Sequence, residues 1–153
     1  MIMTYLSTIG SIALACALLG ASAANAANPD FMGKWTVTTS QPAPWAQPND
    51  KPVESDLKAL MGKAVTFSAS RIDAPRPLTC RKPHYEIKQY EPDMLFQGGL
   101  TDPAKQATAL GYGGKIATLE TGCEGAIDFH FINADSAMFA LNNRLYKIER
   151  KKP

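Results

Sequence analysis

Cysteine and histidine are scarce in this chain of 153 residues, which contains three cysteines and two histidines. There is no Cys-x-x-Cys pair and no ladder of histidines, so the usual patterns of a redox dithiol or a zinc site are missing. There is also no nucleophile elbow and no glycine-rich loop that precedes a helix. The formal net charge is only +2, which implies no strong attraction to nucleic acid. The sequence predicts a protein without a cofactor, without a metal and without enzymatic activity.

Long apolar runs are also few. The longest covers residues 5–19, which is short for a membrane span of about twenty residues. Small residues follow it, and Ala24-Asn25-Ala26 suits cleavage by a signal peptidase. Residues 1–26 are therefore predicted to be a cleaved signal peptide. A buried core helix, a membrane anchor and lipidation at Cys16 are the alternatives.

Cleavage would leave residues 27–153 as a single domain in the periplasm or outside the cell, without stable insertion in the membrane. Only Cys80 and Cys123 remain in that part of the chain. Two cysteines in an exported domain most simply form one disulfide bond. The bond would close a loop of about 43 residues and stabilise the fold by roughly 4 kcal/mol in the chain-entropy account.

Apolar and polar residues alternate through much of the domain. The pattern is visible in the segments KWTVTT, AVTFSASRI, HYEIKQY and AIDFHFI. Such alternation is typical of antiparallel strands with one buried face and one solvated face. It puts Asp128 and His130 on the solvated face. The turn residues Asn142 and Asn143 predict a hairpin within a three-stranded meander at the end of the chain.

Two segments are predicted to lie outside the sheet. Residues 40–52 contain four prolines, which cannot donate hydrogen bonds within a sheet. A short helix is expected after them, with Ser55 at its N-cap, and a second helix is expected after Asp102. Because closing a sheet hides its edges, the predicted fold is all-β: a small antiparallel barrel of seven or eight strands with one or two short helices.

The first predicted strand carries a tryptophan in a recognisable setting. The segment FMGKWTV has Gly33 and Trp35 in a Gly-x-Trp arrangement, followed by a long loop and a short helix. In these features the chain resembles the calycin group, the lipocalins and fatty-acid-binding proteins. The resemblance implies a barrel in which Trp35 plugs one end and a basic residue of the last strand, Arg144 or Arg150, packs over it.

Aromatic residues dominate the predicted interior. A barrel of this size either holds one small molecule or is filled by its own side chains. A further aromatic residue lies in the proline-rich loop, as a binding anchor or as a lid over the barrel mouth. The candidate ligand-binding residues are Trp35, Trp45, Phe67, Phe129, Phe131 and Tyr146.

The leading hypothesis is an exported, non-enzymatic barrel that binds a small apolar or amphipathic molecule. The alternative is an interaction module or inhibitor, for example against a periplasmic lytic enzyme or protease, with loops around Trp45 and Phe96 as contact surfaces. A hydrolase or isomerase is a third possibility. A zinc site would need His84 and Glu86 to meet Asp128 and His130, and the alternation argues against it.

Overall fold

The computed structural model describes residues 29–125 and 127–150. The predicted signal peptide, its cleavage site and Cys16 lie outside the described residues. Within them, nine strands form one sheet: β1 Gly33–Pro42, β2 Ala64–Phe67, β3 Arg71–Asp73, β4 Cys80–Arg81, β5 Glu86–Tyr90, β6 Ile116–Glu120, β7 Phe129–Asn133, β8 Ser136–Leu141 and β9 Arg144–Glu149. The helices are α1 Glu54–Leu60 and α2 Pro103–Ala109, and short 3₁₀ turns lie within Pro92–Gly98, interrupted by a kink at residues 95–97.

The sheet is antiparallel throughout, and its strand order is β4-β3-β2-β1-β9-β8-β7-β6-β5. Every neighbouring pair is consecutive in the chain except β1 and β9, which join the two ends of the domain from Thr36–Glu149 to Pro42–Arg144. The all-β antiparallel prediction is confirmed. The curled sheet is a half-barrel, and among the described residues no ladder joins β4 to β5.

The expected strand count of seven or eight was wrong because one predicted strand is a hairpin. The segment AVTFSASRI forms β2 and β3, and the amide of Ser68 donates to the Arg71 carbonyl at 3.0 Å. Phe67 and Ile72 are opposite each other in the ladder, so Ala69 lies in the turn. The alternating pattern does not reveal such a tight turn, because the turn residues are small and one of them is apolar.

Two element boundaries also differ from expectation. β1 continues through Pro42, which is paired with Arg144 at the strand end, where a missing donor is tolerated. The helix α1 has Val53 at its N-cap rather than Ser55, without a capping side chain. The Val53 carbonyl instead accepts from the amides of Asp56 and Leu57, at 3.0 and 3.2 Å. The helix α2 begins at Pro103 after Asp102, as expected, but the Asp102 side chain makes no capping hydrogen bond.

The C-terminal meander of β7, β8 and β9 is confirmed. Asn142 and Asn143 have φ angles of 47° and 58°, which is the left-handed geometry of a two-residue hairpin turn. β8 is buried on both faces, because Ala137 and Phe139 belong to one hydrophobic cluster and Met138 belongs to a second. The first cluster fills the concave side of the sheet, and the second lies beneath the 92–98 segment and α2.

The predicted disulfide bond is present between Cys80 and Cys123, whose Cα atoms are 6.1 Å apart. It joins β4, at one edge of the sheet, to the loop that follows β6. The amide of His84 donates to the Thr121 carbonyl at 2.8 Å close by. That hydrogen bond extends the pairing of β5 with β6, whereas the disulfide bond crosses the opening between the outer strands, where no ladder does.

Candidate functional site

Five of the six candidate ligand-binding residues lie in the concave cluster, and each is less than a tenth exposed: Trp35, Phe67, Phe129, Phe131 and Tyr146. Their rings contact other rings. The ring centroids of Trp35 and Phe131 are 5.9 Å apart, and those of Phe67 and Phe129 are 5.1 Å apart. Phe139 lies between Phe129 and Tyr146, with centroids 5.4 and 5.2 Å away. The structure brings these side chains together as a packed core, and their role in ligand binding stays a prediction.

Trp35 is fully buried in the concave cluster. Its Nε1 donates to the Phe31 carbonyl at 2.8 Å, and the Arg150 guanidinium lies 4.6 Å above the ring centroid. Arg150 also donates to the Asp30 carbonyl. A basic residue of the C-terminal end therefore packs over the tryptophan, as expected for Arg144 or Arg150. The lipocalin-like resemblance itself remains a prediction.

Trp45, the sixth candidate, is separate from the other five and packs on the opposite side of the sheet. Its ring centroid is 5.7 Å from that of Phe96, and its Nε1 donates to Asn143 Oδ1 at 3.2 Å. The ring also lies over Gly99. The indole is partly exposed. It is neither a lid over the aromatic interior nor part of the same site.

The loop that carries Trp45 is held by the β8–β9 hairpin turn. The amide of Ala43 donates to the Asn143 carbonyl at 2.9 Å. The Asn143 side chain donates to Asp50 Oδ2 at 3.1 Å, and the Asn142 side chain donates to Asp56 Oδ2 at 2.6 Å. The same two residues that form the turn therefore fasten the proline-rich loop and the start of α1.

An exposed methionine lies in the segment that supports Trp45. In the 92–98 segment Leu95 and Phe96 are buried, whereas Met94 is 46% exposed. Because Phe96 contacts Trp45, we define the Trp45 surface as Trp45 and Met94 together with the supporting residues Phe96, Gly99 and Asn143. The indole of this surface is partly exposed and is held by ring contact and a hydrogen bond, and the exposed thioether belongs to the residue two positions before Phe96 in the chain.

His130 is buried, with 2% of its surface exposed, so its expected place on a solvated face was wrong. Phe96 of the 92–98 segment and Tyr112 cover that face of β7 at His130. The amide of Phe96 donates to His130 Nε2 at 3.2 Å, and Nδ1 lies 2.8 Å from Thr118 Oγ1. Burial lowers the pKa of His130 to about 3, so the imidazole is neutral. The apolar run of Met94, Leu95 and Phe96 after β5 was the sequence signal for a covering segment, and its last two residues are the buried ones.

A charged cluster lies beside His130 on the outward face of β5 and β6. Glu120 accepts from Tyr90 Oη at 2.6 Å and from Lys88 Nζ at 2.7 Å. The hydrogen bond from Lys88, followed by that from Tyr90, lowers the pKa of Glu120. Burial, followed by repulsion from Glu120, raises the pKa of Asp128 to about 6. Sequence reasoning did not single out Lys88, Tyr90 and Glu120.

The cavity next to this cluster is small. Its volume is about 100 Å³, and its lining includes Phe96, Asp128 and His130, whereas pockets for drug-sized ligands are typically about 300–1,000 Å³. Both ring nitrogens of His130 are engaged, so neither is available to move a proton on a substrate.

In the described part of the chain, no three potential metal ligands of the His, Cys, Asp or Glu type come together. β6 separates β5 from β7, which keeps Glu86 away from His130.

A wider groove of about 620 Å³ lies on the outward side of β1 and β9, and its lining includes Thr36, Thr38, Lys147 and Glu149. None of the six candidate residues lines it.

Among the described residues no helix is both long and apolar enough to cross a membrane. Comparison of the chain with family models, with curated proteins and with solved structures found no match.

Proposed function

We propose that this protein is an exported, non-enzymatic interaction module that binds another protein through the Trp45 surface. Its partner class is a lytic enzyme or protease, which it would inhibit. The observation that carries the proposal is the fixed presentation of Trp45: ring contact with Phe96, a hydrogen bond to Asn143 and close packing on Gly99. Tryptophan is among the residues that most often dominate protein interfaces, and a side chain already held in place loses little entropy on binding.

The close packing of aromatic rings in the interior favours protein binding over small-molecule transport. The rings of Trp35, Phe67 and Phe129 are buried among other aromatic rings. A bound apolar molecule would have to displace these contacts, which are favourable in a densely packed core. The lipocalin-like fold remains part of the proposal as a framework, with the binding surface on its outer loops.

Transport of an apolar molecule is the second candidate. A cavity of about 180 Å³ lies at one end of the half-barrel, and its lining includes Pro29, Ala117 and Phe131. Phe131 is one of the candidate ligand-binding residues, and Pro29 belongs to the segment that precedes β1. A ligand smaller than a typical drug could enter there if the segment before β1 moved.

The proposed location is an oxidising compartment outside the cytoplasm. The bond between Cys80 and Cys123 supports this, because such bonds persist in the periplasm and outside the cell and are rare in the cytosol. A partner that shares the compartment, such as a secreted hydrolase, fits this location.

The proposal is tested by measuring inhibition of a panel of purified enzymes: a c-type lysozyme, a lytic transglycosylase, a serine protease and a metalloprotease. We expect the protein to inhibit one class with a measurable inhibition constant. Trp45→Ala should weaken that constant at least roughly thirtyfold, because truncation of a central interface residue costs about 2 kcal/mol or more.

Two methionines provide a matched pair in the same assay. Met94 belongs to the Trp45 surface and is 46% exposed, whereas Met32 precedes β1 and is 39% exposed. Met94→Ala should weaken inhibition, and Met32→Ala should not. Equal effects of the two substitutions, or no effect of Trp45→Ala on an inhibition that does occur, would exclude the Trp45 surface as the contact.

A further inference from the structure

The 92–98 segment contains two consecutive residues in an unfavourable conformation. Phe96 has φ 51° and ψ 43°, and Gln97 has φ 58° and ψ 36°. The left-handed region is disfavoured for residues with a side chain, because Cβ approaches the following carbonyl oxygen. Such residues persist only when surrounding contacts hold them in place.

The backbone of Phe96 makes two hydrogen bonds: its carbonyl accepts from the Gly99 amide at 3.2 Å, and its amide is met by a buried side chain of β7. Its amide donates to His130 Nε2 at 3.2 Å. Because an amide can only donate, Nε2 must be unprotonated, and the proton of the neutral ring must be on Nδ1. Nδ1 then donates to Thr118 Oγ1 at 2.8 Å. The fully buried Thr118, whose hydroxyl can accept as well as donate, thus satisfies the Nδ1 proton of the tautomer that the Phe96 amide requires.

The same residue forms the floor of the Trp45 surface. The ring of Phe96 contacts Trp45 on one side, at 5.7 Å between centroids, and His130 on the other, at 4.7 Å. Tyr112 contributes a further ring contact at 6.3 Å and donates its hydroxyl proton to the His130 carbonyl at 3.3 Å. The route from Thr118 through His130 and Phe96 to Trp45 is continuous.

We infer that His130 is a positioning residue for the Trp45 surface: its Nε2 lone pair holds the left-handed Phe96 and Gln97 of the 92–98 segment in place, and Thr118 accepts the Nδ1 proton of the tautomer that this requires. The consequence for binding rests on the proposed function. The effect on the segment itself does not, because it follows from hydrogen bonds within this chain.

The first test is amide hydrogen exchange of the folded protein, followed by NMR or by mass spectrometry of short peptides. His130→Leu keeps a side chain of similar size but removes the acceptor, which leaves the Phe96 amide buried without a partner. We expect exchange at residues 95–99 to accelerate about tenfold to a hundredfold, while β8 and β9 change little. His130→Gln places a new acceptor near the same position and should restore most of the protection.

Two further variants separate positioning from packing. Thr118→Val is nearly isosteric and removes the partner of Nδ1, so it should accelerate exchange in the same segment; it also serves if His130→Leu does not fold. Ile148→Val lies in the concave cluster and should leave the pattern of exchange in residues 95–99 unchanged after correction for global stability.

If His130 acted only by packing, the order of the two variants would be reversed. His130→Leu would then protect residues 95–99 from exchange to the same degree as His130 does, and His130→Gln would not. That order, or acceleration spread equally over all strands, would overturn the inference. The inhibition assay with His130→Leu then tests the consequence, with a loss of at least about tenfold expected. If exchange changes as expected and Trp45→Ala leaves inhibition intact, the proposed binding surface is wrong and the positioning role stands.

Discussion

Gly99 lies directly beneath the indole of Trp45: a Cβ placed on it would be 2.9 Å from Trp45 Cε3 and 3.1 Å from Cζ3. Both atoms belong to an indole that is also bonded to Asn143, so it cannot move away without losing that bond. The backbone of Gly99 is in the right-handed helical region, with φ −71°, which any residue can adopt. Its missing side chain is therefore required by the close approach of Trp45, with the Phe96 carbonyl oxygen 3.2 Å from the same Cβ, and not by its backbone angles.

Gly99→Ala should displace the Trp45 ring while leaving the core intact. In a Trp35→Phe background, where Trp45 is the remaining tryptophan, we expect a red-shifted emission and faster quenching by acrylamide. Gly113→Ala is the control, because nothing lies within 4 Å of a Cβ at that position. Indistinguishable spectra for the two alanine variants would show that Trp45 is not seated on Gly99.

Removing the disulfide bond should destabilise the domain strongly. For a loop separation of 43 residues the chain-entropy account gives about 4 kcal/mol, a large part of a typical total of about 5–15 kcal/mol. Urea unfolding of Cys80→Ser/Cys123→Ser should show this loss of unfolding free energy, and the reduced native protein should show a similar loss.

Thiol titration of the denatured, non-reduced mature protein should find no free thiol, and two free thiols would contradict the structure.

The two tryptophans should differ in their contribution to stability. Trp35 is fully buried and contacts Phe131 and Arg150, so Trp35→Ala should cost about 3–5 kcal/mol. Trp45→Ala should cost about 1 kcal/mol or less, because its ring is partly exposed and its loop lies outside the sheet. Equal losses in urea unfolding would mean that the proline-rich loop is part of the cooperative core.

Shortening Phe129 should create a cavity in the concave cluster. Its ring is packed between Phe67 and Phe139, and an apolar space enclosed by such rings stays dry and can accept a benzene-sized probe. We expect Phe129→Ala to bind an apolar fluorescent probe and the native protein not to bind it. Saturable uptake by the native protein, lost on Phe129→Ala, would instead support transport of an apolar ligand.

Asp128 and His130 should give opposite dependences of stability on pH. The pKa of Asp128 is raised to about 6, above its ordinary 3.8, so its stabilising contribution is complete below about pH 4 and is lost as the pH rises through 6. The pKa of His130 is lowered to about 3, below its ordinary 6.5. Its contribution is complete above pH 6.5 and is lost as the pH falls towards 3.

Urea unfolding between pH 4 and pH 8 separates the two groups. Asp128→Asn should be more stable than the native protein at pH 7 and should lose stability more steeply on acidification, because only the His130 effect remains. His130→Gln should remove the acid-side loss. The exposed Asp93→Asn is the control, and a native-like profile for Asp128→Asn would contradict the assignment.

Short sequence patterns correctly predicted the structural features that depend mainly on residues close together in the chain or on the residue types present. Asn142 and Asn143 formed the expected two-residue turn because few other residues tolerate left-handed geometry. The alternation around Phe129 and Phe131 placed both rings in the concave cluster, as period-two geometry requires. The pairing of Cys80 with Cys123 was predicted because no other cysteine remains after the expected signal peptide.

What the sequence by itself determined was the class of fold, one face of each main strand and the disulfide bond. The tertiary structure decided what covers the other face. His130 was expected in water because its neighbours alternate, and it is buried because the 92–98 segment folds back over β7 and offers it an amide. The two turn asparagines hold the Trp45 loop, and Gly99 admits the indole. These contacts join residues far apart in the chain. The alternation of apolar and polar residues within one segment does not indicate which distant segment will pack against it.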